Sequence, residues 1–197
     1  MAASSLVPVE RHPLVPFLPE NARVLMLGSF PPKRERWCMD FFYPNWQNDM
    51  WRIMGLVFHD DKDHFADVPH RRFVQERIEA FLREKGIALY DTATAVRRLK
   101  DNASDKFLEV VEPTDLPALF EHVPQCCAVV ATGQKAVETF CAVMEVEPPR
   151  VGGLTPFTHA GRQMRFYRMP SSSRAYPLAL SDKAAAYASL FRREGML

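Results

Sequence analysis

A chain of 197 residues, 47% hydrophobic and 25% charged, is long enough to bury one sizeable core and too evenly mixed to be a disordered or fibrous protein. A formal net charge of +1 excludes a globally basic nucleic-acid binder, and no apolar run approaches the roughly 20 residues of a membrane-spanning helix, so no membrane partner is expected. The cysteines Cys38, Cys126, Cys127 and Cys141 form no Cys-x-x-Cys pair. That spacing argues against a zinc or iron–sulfur site and fits reduced thiols in a cytoplasmic protein. Met1 to Val9 carries neither a charged n-region nor a long apolar h-region, so no signal peptide is expected.

Taken in order, residues 1–22 hold Pro8, Pro13, Pro16 and Pro19 and read as an extended lead-in. Arg23 to Leu27 reads as a first strand, its apolar run Val24 to Leu27 halted by Gly28-Ser29-Phe30-Pro31, the pattern of a buried strand delivering a rigid loop. The loop continues through the basic Lys33, Arg34 and Arg36 to three consecutive aromatics, Phe41, Phe42 and Tyr43. Aromatics beside basic residues and the amide of Asn48 suit a pocket for a flat heterocycle such as a nucleobase, or else they pad the core. Residues 48–58 read as a helix, and His59 to His70 as an exposed loop whose His and Asp residues lack ordered ligand spacing. Pro69 to Lys85 reads as a second helix stopped by Gly86. Ile87 to Tyr90 is a second strand, ending in Asp91-Thr92, and residues 93–104 read as loop.

A short helix over 115–122 follows. A third strand spans Cys127 to Ala131 and ends in Thr132-Gly133-Gln134, and a helix covers 135–146. Pro148 to Gly161 looks like a Pro/Gly-rich connection. A fourth strand, Met164 to Met169, ends in Pro170-Ser171-Ser172-Ser173-Arg174, and a last helix begins at Ser181 as N-cap. With no repeat and no boundary, residues 1–197 are read as one domain. Strands alternating with helices predict an α/β fold: a three-layer α/β/α sandwich around a central, mainly parallel four-stranded sheet. Ligands in such folds sit beyond the carboxyl ends of the strands, where these small, polar and rigid residues gather. From Arg150 to Leu197 eight cationic residues face two acidic ones, a net +6 that suits either a phosphate-facing surface or a solvated face.

Four stretches then resemble one family in the right order. They are Gly28-Ser29-Phe30-Pro31, Tyr43 through Asn48 to Trp51, Ala88-Leu89-Tyr90-Asp91, and Met169-Pro170-Ser171-Ser172-Ser173. Thr132-Gly133-Gln134-Lys135-Ala136 adds a similar strand-to-helix turn. Together they resemble the uracil-DNA glycosylase superfamily, nearest its hypoxanthine-DNA and mismatch-specific uracil glycosylase branches. Many members carry Asp or Asn where this chain has Phe30; the hypoxanthine branch also lacks it and is similar in offering an Asn, here Asn48. Arg174 and Tyr176 stand where the nearest branch usually has Pro and often has Asn, and Asn102-Ala103-Ser104-Asp105 only loosely matches that branch's Gly-Ser-x-Asp.

The resemblance implies a DNA glycosylase that flips a deaminated base, uracil or hypoxanthine, out of damaged DNA for base-excision repair, as a monomer, with neither metal nor cofactor. It implies base-binding roles for Gly28, Ser29, Phe30, Phe42 and Tyr43, with Phe42 favoured as the stacking ring. Asn48 is the candidate to orient water or bind the base, or else it caps the following helix. Asp91 is a second candidate to position water, or else it pins the neighbouring loop. Ser171, Ser172, Ser173 and Arg174 are candidates to hold DNA phosphates, and Arg174 or Tyr176 to fill the gap left by the flipped base. Phe30, which cannot polarise water, favours an alternative: a nucleic-acid- or nucleotide-binding protein that keeps the fold without catalysis. A small-molecule hydrolase is disfavoured, because there is no nucleophile elbow.

Overall fold

The structure, a computed structural model, describes residues 7–100 and 107–197. Its strands and helices in chain order are β1 (Val9–Arg11), β2 (Val24–Gly28), α1 (Met50–His59), β3 (Ala66–Asp67), β4 (Arg72–Phe73), α2 (Gln75–Lys85), β5 (Ile87–Asp91), β6 (Ala93–Arg98), β7 (Leu108–Pro113), α3 (Leu116–Glu121), β8 (Ala128–Thr132), α4 (Gln134–Met144), β9 (Leu154–His159), β10 (Arg162–Met169) and α5 (Leu180–Arg193). Strands β2, β5 and β8 are buried at every position, as continuous apolar runs of a parallel sheet covered on both faces should be.

The central sheet runs β5-β2-β8-β10-β9. The four expected strands form its parallel part. A fifth, β9, lies in the stretch read as a connection and pairs antiparallel with β10. Its Pro156 and the flanking Gly152 and Gly153 disguise it; proline is tolerated because the strand is at the edge. Ala160 and Gly161, both with positive φ, make the tight turn into β10. Neighbouring residues of β10 define the layers. Phe166 stacks on Phe140 of α4 at 3.9 Å, whereas Tyr167 donates to Glu194 just after α5. On the α5 side, Phe58 of α1 meets Phe81 of α2 and Phe191 of α5, each at 4.9 Å. The sandwich is therefore three-layered.

Other expectations need correcting. The lead-in is tied down: β1 pairs with β6, and Phe17 exchanges backbone hydrogen bonds with Leu89. Residues 93–98 are strand, the centre of a second antiparallel sheet β1-β6-β7. That sheet and Phe30 share a small core with Ala93, Val96 and Leu108. Helix α2 starts at Gln75 because β3 and β4 form a hairpin before it. Ser181 lies inside α5, whose N-cap is Ala179. Asn102-Ala103-Ser104-Asp105 lies outside the described residues. No helix among the described residues is long and apolar enough to cross a membrane.

Candidate functional site

The carboxyl ends of β2, β5, β8 and β10 open onto one cavity of about 320 Å³. Gly28, Ser29, Phe30, Phe42, Tyr43, Asn48, Asp91, Ser171, Ser172, Ser173 and Arg174 all line it. Residues that are scattered in the sequence thus meet in one place.

Its floor is made by two strand ends. Gly28 stands opposite Asp91 in the parallel pairing of β2 and β5. A Cβ added to Gly28 would lie 2.3 Å from Asp91 Oδ1, so the carboxylate folds over the strand end only because that residue is glycine. Asp91 is 6% exposed. Its backbone carbonyl accepts from Thr114 Oγ1 at 2.7 Å, and its Oδ2 lies 2.9 Å from His12 Nε2. Sequence reasoning missed His12 because only the long-range pairing of β1 with β6 carries it to the floor.

One wall is aromatic. Phe42 is 3% exposed and packs edge-on against Phe41 and Tyr90, with ring centroids 5.2 and 6.3 Å away. Trp51 Nε1 donates to its carbonyl at 3.1 Å and fixes the loop. Phe41 turns away from the cavity to pack on Phe17 and Trp51. Tyr43 has φ +50, an unusual conformation for a bulky residue and the kind of local strain that collects at functional sites. Its hydroxyl lies 3.2 Å from Thr132 Oγ1 and links this loop to the end of β8. Phe30 meets His12 edge-on at 5.2 Å and contributes an apolar face.

The opposite wall joins two loops. Asn48 bridges backbone-to-backbone with Ser173, and Asp49 N donates to the Ser172 carbonyl at 2.8 Å. Asn48 Oδ1 accepts from Met50 N at 2.9 Å, which orients the half-buried amide. Helix α1 begins at Met50 with Asp49 as N-cap, so Asn48 supports the helix start from one position earlier. Its Nδ2 makes no hydrogen bond to any described residue. Asp49 makes no side-chain cap bond. Its carboxylate instead holds Lys183 Nζ at 3.0 Å and Arg174 Nε at 3.3 Å. Lys183, fully buried, also donates to the Ser173 carbonyl at 2.7 Å. An ion pair buried in this way is costly unless its hydrogen bonds are complete, and here it braces the serine loop. Within that loop Ser171 Oγ accepts from Ser173 N, and Ser173 Oγ accepts from Ala175 N.

Half of the eight cations behind the +6 skew, Arg162, Arg165, Arg168 and Lys183, are engaged within the fold, whereas Arg150, Arg174, Arg192 and Arg193 are exposed. Arg162 donates to the carbonyls of Phe120, Val123, Pro124 and Cys126. Arg168 reaches Gln134 and the Pro149 carbonyl. Arg165 grips Glu194 with two bonds, at 2.8 and 2.6 Å. Burial pushes the Glu194 carboxyl up, but hydrogen bonds from Arg165 and Tyr167 outweigh it and hold the group below its ordinary value. Of the eight cations only Arg174 lines the cavity, its side chain 52% exposed. Exposed Arg36 joins it at the rim, with no ion pair among the described residues. Arg34 is occupied with Asp40 and Trp37. In the His/Asp loop, His59 and His64 stack face to face at 3.6 Å, and among the described residues no three His, Cys, Asp or Glu side chains are grouped so as to hold a metal ion.

Compared with known proteins, the sequence matches no family model and no curated protein. Among solved structures 26 chains match. One is a solution NMR structure from Methanosarcina acetivorans, whose own assignment as a uracil DNA glycosylase is provisional. It shares 22% identity with this chain at a TM-score of 0.64, covering 94% of this chain and 98% of that one. At that identity the likeness establishes a shared fold.

Proposed function

We propose that this chain is a monofunctional DNA N-glycosylase that hydrolyses the glycosidic bond of a deaminated base, uracil or hypoxanthine, as a first step of base-excision repair. The observation that carries this reading is the cavity floor, where the Asp91 carboxylate lies across Gly28 beneath the wall bearing Phe42. An ionised carboxylate accepts but does not donate. It therefore suits the N–H that deamination places beside a carbonyl in uracil and hypoxanthine, and it repels the bare ring nitrogen of cytosine or adenine. Phe42 supplies the stacking face, and the backbone of the Gly28–Phe30 turn meets the remaining base edge. For the water at the sugar, the half-exposed amide of Asn48, anchored by Met50 N, is preferred to Asp91, which is buried at the floor.

In this reading the duplex releases the damaged nucleotide at a cost of a few kcal/mol, lowest for a mispaired base. Arg36, Arg174 and the serine loop hold the flanking phosphates. As the glycosidic bond lengthens, the departing base becomes anionic and the sugar cationic. Backbone N–H groups of the Gly28–Phe30 turn, not the Asp91 carboxylate, meet the charge that develops on the base, and a water held by Asn48 adds to the sugar carbon. The water proton passes to solvent or to the departing base.

A non-catalytic binder on the same fold is favoured by one observation: Phe30 places an apolar ring on the cavity wall. The two readings separate when the protein is incubated with duplex and single-stranded oligonucleotides bearing uracil, hypoxanthine or xanthine, followed by alkali. A strand break at the lesion supports the glycosylase. Uncut strands with every lesion, despite DNA binding, support the binder.

A further inference from the structure

His12 reaches the cavity floor from the far end of the chain. Pairing of β1 with β6 sets Arg11 opposite Ala95, and His12 N donates to the Thr94 carbonyl at 2.9 Å. The ring then sits between Phe30, at 5.2 Å, and Tyr90, at 4.8 Å, with 2% of its side chain exposed. Nδ1 lies 2.9 Å from the Leu14 carbonyl oxygen and 3.1 Å from Leu14 N. The same backbone residue therefore offers Nδ1 an acceptor and a donor, and the imidazole keeps its seat whether or not Nδ1 carries a proton. On the other side Nε2 is 2.9 Å from Asp91 Oδ2.

The two carboxylate oxygens of Asp91 are thereby divided. Asp91 lines the cavity and His12 does not, so Oδ2 is taken from behind while Oδ1 lies across Gly28 at the floor. A carboxylate torsion is intrinsically broad. A buried donor fixed by its own backbone bonds removes that freedom.

We propose that His12 is a positioning residue. By donating from Nε2 to Oδ2 it holds the Asp91 carboxylate so that Oδ1 remains the acceptor presented to a bound base. The proposal rests on the glycosylase reading of the cavity. It differs from a merely structural role, in which His12 only fastens the lead-in to the sheet. A fastening role would lower stability, whereas a positioning role acts on excision and acts through Asp91.

The test is single-turnover excision from hypoxanthine and uracil duplexes at saturating enzyme, using H12F, H12Q, D91N and the double variant H12F/D91N. DNA affinity and thermal midpoint are measured alongside. Losing one hydrogen bond to a charged group predicts that H12F slows excision by about 10- to 100-fold, with DNA affinity within about twofold. H12Q, whose amide N–H can occupy the place of Nε2–H, should recover most of the rate. The double variant should be no slower than D91N alone. If H12F does not fold, H12Q is compared with H12N, whose shorter amide falls short of Oδ2: fast Gln with slow Asn supports the proposal, and equal rates overturn it. Wild-type rates in H12F, or an undiminished loss in the D91N background, overturn the proposal and leave the glycosylase reading intact. A wild-type protein that excises no base overturns both.

Discussion

Adding one methyl group at Gly28 should disable the cavity without unfolding the protein. The new Cβ would stand 2.3 Å from Asp91 Oδ1, against an ordinary contact of 3.4 Å or more, so the carboxylate must retreat by about 1 Å. The Asp91 backbone cannot yield easily, because it is paired to β2 and its carbonyl is held by Thr114. The side chain must turn instead, which breaks the bond to His12 Nε2. A hydrogen bond to a charged group is worth about 1.5–3 kcal/mol, so excision in Gly28→Ala should fall by about 10- to 100-fold. Stability should fall less. Gly28 is not in the left-handed region, so alanine is sterically allowed there and recovers about 0.4–1 kcal/mol by restricting the unfolded chain. The assay is single-turnover excision from a hypoxanthine duplex, with a urea melt on the same sample. A folded Gly28→Ala protein excising at the wild-type rate would refute the argument that the Asp91 carboxylate must lie across Gly28.

Asn48→Ala should leave DNA affinity within a few-fold and lower excision by ~10²–10³, the usual effect of removing one well-placed polar group; the lost bond to Met50 N should also cost ~1 kcal/mol in a thermal melt. Arg36→Ala and Arg174→Ala should each weaken binding similarly for all DNA sequences and reduce the slope of log affinity against log salt by about 1, measured by fluorescence anisotropy. Arg174 should also release Asp49 and lower the melting temperature slightly, which Arg36 should not. Glu194 is held below its ordinary value of 4.5, so its contribution to stability is present above about that pH and is lost as pH falls through the lowered value. Glu194→Gln should therefore lose stability at neutral pH and show a flatter acid limb than wild type, read from thermal midpoints between about pH 2 and 6.

The sheet was legible where a strand is a short apolar run closed by turn residues. Leu25 to Leu27 before Gly28, Leu89 before Asp91 and Val129 before Thr132 each combine burial on both faces with an abrupt stop. The site was legible for the same reason, since a parallel sheet delivers its strand ends to one edge. β9 was not legible, because an edge strand can carry Pro156 and follow two glycines. Nor was the helix cap: Asn48 has the residue type of an N-cap, yet that position belongs to Asp49, whose carboxylate holds Lys183 and Arg174, far along the chain. His12 lies in a Pro-rich segment with no strand periodicity, and only the fold reveals its contact with Asp91. The charge skew was ambiguous because composition cannot tell an arginine bonded to backbone carbonyls, such as Arg162, from one facing a phosphate.

Hydrolysis of a base from DNA is read most directly in the released base itself. Wild-type protein is incubated with a duplex carrying one hypoxanthine or one uracil, and the free base is quantified by chromatography and mass spectrometry beside the intact and alkali-treated strand. A monofunctional glycosylase should give free base equal in amount to the alkali-labile sites, strands uncut before alkali, and no release of adenine or cytosine from matched undamaged duplexes. No free base from either lesion under conditions where the protein binds the DNA would contradict the glycosylase reading.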